Sequence, residues 1–261
     1  MFGRGVVTLP QRSFDDMFVA VVTGAADCAM APIENTLAGP VIRNYDLLLE
    51  HDLTIVGEVV LRVVQNLIAL PGVTLAEVKR VYSHPVALEQ CKRFLAAHPH
   101  LEVASASDTA GAVKMVAHRG RRDEAAIAGA TAAEAYGAHI LAGGIESNTR
   151  NFTRFLVLAR PDRAAALPVT AEPGRERKTS VLFHLARRPG ALYRSLAGFA
   201  EADIDLTKIE SRPIEGRPWE YSFFLDFMGD RTDPPVHRAL SHLATHTENL
   251  RILGSYAKGE P

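Results

Sequence analysis

The chain has 261 residues, 47% hydrophobic and 23% charged, and 29 Lys+Arg against 30 Asp+Glu leave a formal net charge of −1. This balance can bury a core and excludes disorder as the main state, and at roughly 150 residues per domain the length reads as one large domain or two unequal ones. A pI near 6.8 without a long Lys/Arg run argues against a nucleic-acid partner. Apolar runs broken by Asp27, Arg62 and Asp123 fall short of the roughly 18 residues of a spanning helix, so no membrane is expected. The start, Met1-Phe2-Gly3-Arg4-Gly5, has neither a basic segment ahead of an apolar core nor a small-residue cleavage site, and the expected location is cytoplasmic. Cys28 and Cys91 lack a C-x-x-C partner and read as small apolar core residues.

Ser13, Asp15 and Asp16 offer capping groups ahead of Phe14, Met17, Phe18 and Val21 at helical spacing, and Gly24 suits the exit, which predicts a helix over 14–23. Strands are predicted over 78–83 and 101–105, preceding helices near 86–97 and 108–118. Thr131 with Glu134 repeats the capping signature ahead of Ala135 and Tyr136. Alternation of short β-branched runs with Ala-rich helical stretches up to about residue 158 marks an α/β fold. Residues 160–178 combine three prolines, a glycine and clustered charge without apolar periodicity, as a linker does. Beyond it come a strand (180–185), a helix opened by Pro189-Gly190 (191–201), strands 205–211 and 220–228, a helix (235–246) and a strand (250–256). That order, βαββαβ, is the ferredoxin-like split βαβ unit.

Pro32-Ile33-Glu34-Asn35-Thr36, with Gly39, stands where a strand would end and a turn project side chains into a cleft, the usual place of ligand groups in α/β sheets. Taken alone it also reads as a strand end with solvent-facing polar residues. Ser83-His84-Pro85, followed by Leu88 and Gln90-Cys91, straddles a strand-to-helix junction, where a serine and a glutamine also serve as cap and surface residue. In Asn151-Phe152-Thr153-Arg154-Phe155 the Arg154 fork can pair with a substrate carboxylate. A structural salt bridge is the alternative, because neighbours on a strand face opposite ways; Phe155 then packs in the core.

These three segments in this order, with Asp46-Leu47-Leu48 after the first, resemble the prephenate dehydratase family over nearly the whole chain. The C-terminal unit resembles an ACT domain, with Gly190-Ala191-Leu192 and Glu210-Ser211-Arg212-Pro213 where that family's phenylalanine-responsive segments lie. The resemblance implies a two-lobed, periplasmic-binding-protein-like catalytic region (1–159), a linker (160–178) and a ferredoxin-like ACT domain (179–257). In the family a strand, a Gly-rich turn and a helix precede the position of Phe2. The expectation is of a first lobe without them, whose neighbouring strands would carry unpaired backbone groups.

The implied reaction is the decarboxylative dehydration of prephenate to phenylpyruvate in phenylalanine biosynthesis, without cofactor or metal. Aromatisation supplies the driving force, so the protein has to orient a dianion and help hydroxide leave. By resemblance Thr153, Glu34 and Asn35 are catalytic, with Thr153 at the leaving oxygen as an oriented donor, and Thr36, Ser83, Gln90 and Arg154 contact substrate. Gly190, Ala191, Leu192, Glu210, Ser211, Arg212 and Pro213 enclose phenylalanine between neighbouring subunits, which implies a homodimer or homotetramer. Arogenate dehydratase, whose substrate has an amino group in place of the ketone, is the enzymatic alternative; a non-enzymatic phenylalanine-binding regulator is the other. His242 and His246 lie one helical turn apart without a third metal ligand, and Gly3-Arg4-Gly5 lacks the third glycine of a dinucleotide fingerprint.

Overall fold

The computed structural model describes Phe2 and residues 5–167, 174–185 and 187–260. The chain folds as two compact units, one of Met1–Glu34, Pro40–Val60 and Arg154–Pro261, the other of Asn35–Gly39 and Leu61–Thr153.

The first unit opens with α1 (Phe14–Val22), started by Ser13 Oγ, which accepts the Asp16 N–H at 3.0 Å. Asp15 and Asp16 in the first turn suit the positive end of the helix dipole. Gly24, at φ +78°, follows the last turn, as its sequence position predicts. Then come β1 (Cys28–Asn35), β2 (Gly39–Pro40), α2 (Ile42–Glu50) and β3 (Thr54–Arg62).

The second unit holds β4 (Asn66–Ala69), β5 (Arg80–Ser83), α3 (Pro85–Gln90), α4 (Lys92–Ala96), β6 (Glu102–Ser105), α5 (Thr109–Arg119), β7 (Glu124–Ala128), α6 (Ala130–Ala135) and β8 (His139–Ala142). Its sheet runs β6-β5-β7-β4-β8, parallel where β5 meets β6 and β7 and antiparallel where β4 meets β7 and β8. Every residue of β7 is buried because both faces are covered. Leu67, Ala125 and Ile127 enter one core and Ile68, Ala126 and Ala128 the other, the period-2 division of a strand.

Two expectations need correction here. The helix expected over 86–97 is two helices, broken at Cys91, whose φ −101° and ψ 13° leave the helical region while its N–H still reaches the Ala87 and Leu88 carbonyls. Thr131 does not cap α6; Gly129 precedes a helix that already begins at Ala130, so Thr131 lies in its first turn.

The chain re-enters the first unit along β9 (Phe152–Ala159), followed by β10 (Arg177–His184), α7 (Ala191–Glu201), β11 (Leu206–Pro213), β12 (Tyr221–Met228), α8 (Pro234–His246) and β13 (Glu248–Ala257). The first sheet is ordered β2-β1-β9-β3 and the last β11-β12-β10-β13, antiparallel throughout. The fold class is α/β, and the six elements named after β9 follow the expected βαββαβ order. The linker expected over 160–178 is shorter, since Arg177 and Lys178 already belong to β10; its residues 168–173 lie outside the described residues.

Both faces of the last sheet are covered. On one, Val181, Phe183, Leu225 and Phe227 pack with Phe199 of α7 and Leu243 of α8. On the other, Leu182, Phe224, Leu253 and Tyr256 share a core with Phe18, Ile33, Tyr45, Leu48, Ile55 and Leu156. Tyr45 meets Phe224 edge-on at 4.9 Å. Gly254 is required there, because a Cβ would overlap the Ile55 carbonyl.

Four charged side chains are buried within this contact. Glu58 Oε1 accepts from Arg154 Nε and from Lys178 Nζ at 2.9 Å, and Glu58 Oε2 from the Gly259 N–H at 2.7 Å. Arg154 also donates to Asp226 Oδ2 at 2.6 Å and to the Tyr256 hydroxyl at 3.1 Å, and Ser180 Oγ donates to Asp226 Oδ1 at 2.5 Å. Burial, with Asp226 beside it, pushes the Tyr256 hydroxyl well above its ordinary pKa, so it stays protonated. Replacing Glu58 by Gln leaves two buried cations facing one carboxylate. Urea unfolding of Glu58→Gln is expected to show a loss of ~3–5 kcal/mol, and a loss below ~1 kcal/mol would refute the balance.

Candidate functional site

Asn35 ends β1 and organises the residues around it in the second unit. Its Oδ1 accepts the N–H groups of Leu37 at 3.0 Å and Ala38 at 2.9 Å, an Asx turn that fixes which end of the amide is oxygen. Nδ2 therefore points the other way, donating to Asn151 Oδ1 at 2.8 Å, Thr153 Oγ1 at 3.0 Å and the Phe152 carbonyl at 3.1 Å. Thr36 closes the same turn: its N–H donates to the Phe152 carbonyl at 2.9 Å, and its hydroxyl accepts the Phe152 N–H at 3.0 Å and donates to the Arg150 carbonyl at 2.9 Å.

Two consequences follow from the direction of these bonds. A threonine hydroxyl has one proton and two lone pairs. Because Thr153 receives a proton from Asn35, its own O–H is left to point at a further acceptor. Asn151, fully buried, turns its oxygen to Asn35, and among the described residues its Nδ2 has no hydrogen-bond partner.

The structure thus brings Asn35, Thr36 and Thr153 together and adds Asn151, whose role the sequence reading missed although the residue lies inside the quoted motif. Gln90 sits in a neighbouring network: Gln65 Nε2 donates to Gln90 Oε1 at 3.1 Å, and Gln65 N–H donates to the buried Glu146 at 3.0 Å. Glu146 also pairs with Arg62 at 3.3 Å. Neither Gln65 nor Glu146 carries a sequence signal, since each lies in a segment without motif or periodic pattern. The Val63 N–H to Asn151 carbonyl bond, 2.7 Å, joins the two networks through the backbone.

Ser83 and Arg154 are placed differently from expectation. Ser83 is fully buried and donates to the Ile127 carbonyl at 2.6 Å, so it ties β5 to β7 and has no proton for a ligand. It does not cap α3 either; His84 Nδ1 accepts the Val86 N–H at 3.2 Å. Arg154, one residue after Thr153 and pointing to the other side of β9, is spent on Glu58, Asp226 and Tyr256. Burial works against its charge, but Asp226, Tyr256 and Glu58 hold its pKa well above the ordinary value. Cys91 is no nucleophile, because burial pushes its thiol up to about 12.

In the first unit, Glu34 Oε1 accepts from Lys208 Nζ of β11 at 3.1 Å, and the same ammonium lies 3.4 Å from Glu210. Arg212 grips Asp46 of α2 through both ends of its fork, at 2.8 and 3.1 Å. Ser211 is exposed on the opposite face of β11. Gly190, Ala191 and Leu192 line an open groove of about 560 Å³ with Arg188, Trp219 and Tyr221. Gly190 is at φ +74° immediately ahead of α7, a backbone region that favours glycine. Glu210, Ser211, Arg212 and Pro213 do not line that groove, so one chain does not bring the two segments together.

Among the described residues no helix is long and apolar enough to cross a membrane. A family profile described as prephenate dehydratase matches residues 1–163. The chain is 43% identical over 257 residues to arogenate dehydratase/prephenate dehydratase 2, chloroplastic, of Arabidopsis thaliana, covering 95% of this chain but 66% of that relative, just under two thirds of its length. Among solved structures, GqqA, described as a novel type of quorum quenching acylase, is 39% identical, with a TM-score of 0.87 over 98% of this chain and 91% of that one. Prephenate dehydratase in complex with L-Phe from Arthrobacter aurescens is 34% identical, with a TM-score of 0.83 over 96% of this chain and 81% of that one.

The assigned amide orientation is testable. Asn35→Asp keeps the acceptor for Leu37 and Ala38 but sets a carboxylate oxygen against the Phe152 carbonyl, which can only accept, and against the Asn151 and Thr153 oxygens as they now stand; denaturant unfolding is expected to show a loss of about 1–3 kcal/mol. Unchanged stability would mean that Asn35 donates to none of them.

Proposed function

The chain belongs to the prephenate dehydratase family, and from that premise we propose that it converts prephenate to phenylpyruvate, water and carbon dioxide. The observation that carries the proposal is the Thr153 hydroxyl, which accepts from Asn35 and so has its own proton to offer. In the reaction the bond from C1 to its carboxylate breaks, its electron pair enters the ring, and the C4–O bond breaks as the ring becomes aromatic. The departing oxygen gathers negative charge in the transition state, where an oriented donor lowers the barrier without gripping the ground state. Thr153 is a weak acid, and the bond it receives from Asn35 polarises its O–H toward the leaving group. Glu34, next to Asn35 in the chain, carries a carboxylate beside Lys208. That ammonium offsets a negative charge which would otherwise repel a dianionic substrate.

Thr36 and Gln90 remain the proposed substrate contacts; Ser83 and Arg154 are reassigned to bracing β5 and anchoring β9. Phenylalanine is the proposed effector. The groove at Gly190, Ala191 and Leu192 places a helix N-terminus near an incoming α-carboxylate, and Glu210, Ser211, Arg212 and Pro213 of a second copy complete the site in a homodimer or homotetramer. The expected location, the cytoplasm, belongs to the same proposal. Arogenate is a second substrate to assay, because the Arabidopsis relative carries both activities in its name.

Phenylpyruvate formation from prephenate, with arogenate in parallel, tests the reading. Thr153→Ala is expected to lower kcat/KM by about 10²–10⁴-fold while Thr153→Ser retains most of it. A wild-type chain that binds phenylalanine but forms no product would instead be a regulator. Gly190→Val, which places a branched side chain in the groove mouth, is expected to abolish inhibition by phenylalanine and spare turnover; retained inhibition would remove the effector from this groove.

A further inference from the structure

β11 has its charged residues on one face. Lys208, Glu210 and Arg212 are half-buried, while Thr207, Ile209, Ser211 and Pro213 between them are exposed. Arg212 holds Asp46 of α2, and Tyr45 of the same helix packs on Phe224 of β12, so the strand is pinned at that end. Lys208 reaches past them to Glu34, its side chain only 14% exposed and Glu34's 33%. The same ammonium is paired with Glu210, at a longer distance and with a side chain 20% exposed. One cation therefore serves two carboxylates, one in the segment proposed to act and one in the segment proposed to sense.

We propose that Lys208 positions Glu34 for the reaction and is the residue through which a ligand at Glu210–Pro213 alters turnover. The proposal deepens the dehydratase reading and rests on it. A lysine suits the task better than an arginine: its ammonium is a compact charge with three donors on a flexible stem, able to divide itself between two acceptors. Room for movement exists, because a cavity of about 10 Å³, on the scale of one water, lies between Lys208, Arg154 and Asp226. The strand also bulges next to Lys208, between Leu206 and Lys208, where its pairing with β12 shifts register. An amino-acid ligand changes the charge around Glu210, and the share of the ammonium left for Glu34 changes with it. Lys208 touches no substrate in this scheme; it acts through Glu34.

The test uses the full chain with prephenate as substrate and phenylalanine as effector. Lys208→Met keeps the stem and removes the charge. It is expected to lower kcat about 10- to 100-fold with KM within about threefold of wild type, the signature of lost positioning rather than lost binding. The turnover that remains is expected to be insensitive to phenylalanine while calorimetry still shows phenylalanine bound, and Lys208→Arg is expected to recover at least part of kcat. If Lys208→Met does not fold by circular dichroism, Lys208→Gln is read the same way. Unchanged kcat, a change confined to KM, or inhibition that survives in the variant would each overturn the role of Lys208 and leave the dehydratase reading standing. A wild-type chain without turnover would overturn both.

Discussion

The first unit depends on one buried set of charges. Glu58 of β3, Arg154 of β9, Lys178 of β10 and Asp226 of β12 balance to zero, and Tyr256, Ser180 and the Gly259 N–H take up oxygens and protons that the ion pairs do not. Such a set is poor evidence for net stability, since apolar side chains of equal volume often do as well, but it is unforgiving of loss because any missing member strands a charge away from water. Its strength is selectivity of arrangement. The observed register of β10 on β12 and their placement on β3 and β9 bring all four ions together, so a shift of either strand would separate them. Arg154 is also covalently next to Thr153, and the anchor therefore holds the strand that carries the hydroxyl proposed to act.

At Thr153 the decisive matter is hydrogen-bond direction, and it is settled two residues beyond Asn35. The Leu37 and Ala38 N–H groups can only donate, which makes the facing Asn35 atom an oxygen and the other end a donor. From there each assignment forces the next: Asn151 must present oxygen, and Thr153 must accept. A backbone turn thus sets the chemical sense of a side chain more than a hundred residues away in the chain.

What the sequence disclosed follows from how local each cause is. Helix starts were legible where the cap is a neighbour, as at Ser13 for α1 and Gly190 for α7, and strands where apolar residues alternate. The break at Cys91 was not, because a helical pattern of side chains continues across it while the backbone of one residue leaves the helical region. Among site residues, Asn35 and Thr153 stood out inside motifs. Ser83 and Arg154 stood out equally, yet the same motifs serve packing: a serine proton goes to Ile127 and a guanidinium to Glu58 and Asp226. Strand alternation already warned that Arg154 and Thr153 face opposite ways, and that rule outweighed the resemblance. Gln65, Glu146 and Lys208 had no local signal, since each owes its role to partners distant in sequence.

The same alternation lets the coupling proposed for β11 work without a large motion. On β11 the outward residues Ile209 and Ser211 and the inward residues Lys208, Glu210 and Arg212 are a single peptide apart. In the proposed coupling Arg212 stays pinned to Asp46 and the shift is taken up at the other end, where Lys208 meets Glu34. Packed interiors give way at the least-constrained contact, and here that contact is an ammonium with two partners and an adjacent void. Coupling of this kind costs the fold little, because it uses a shift in one ion pair instead of a rearranged core.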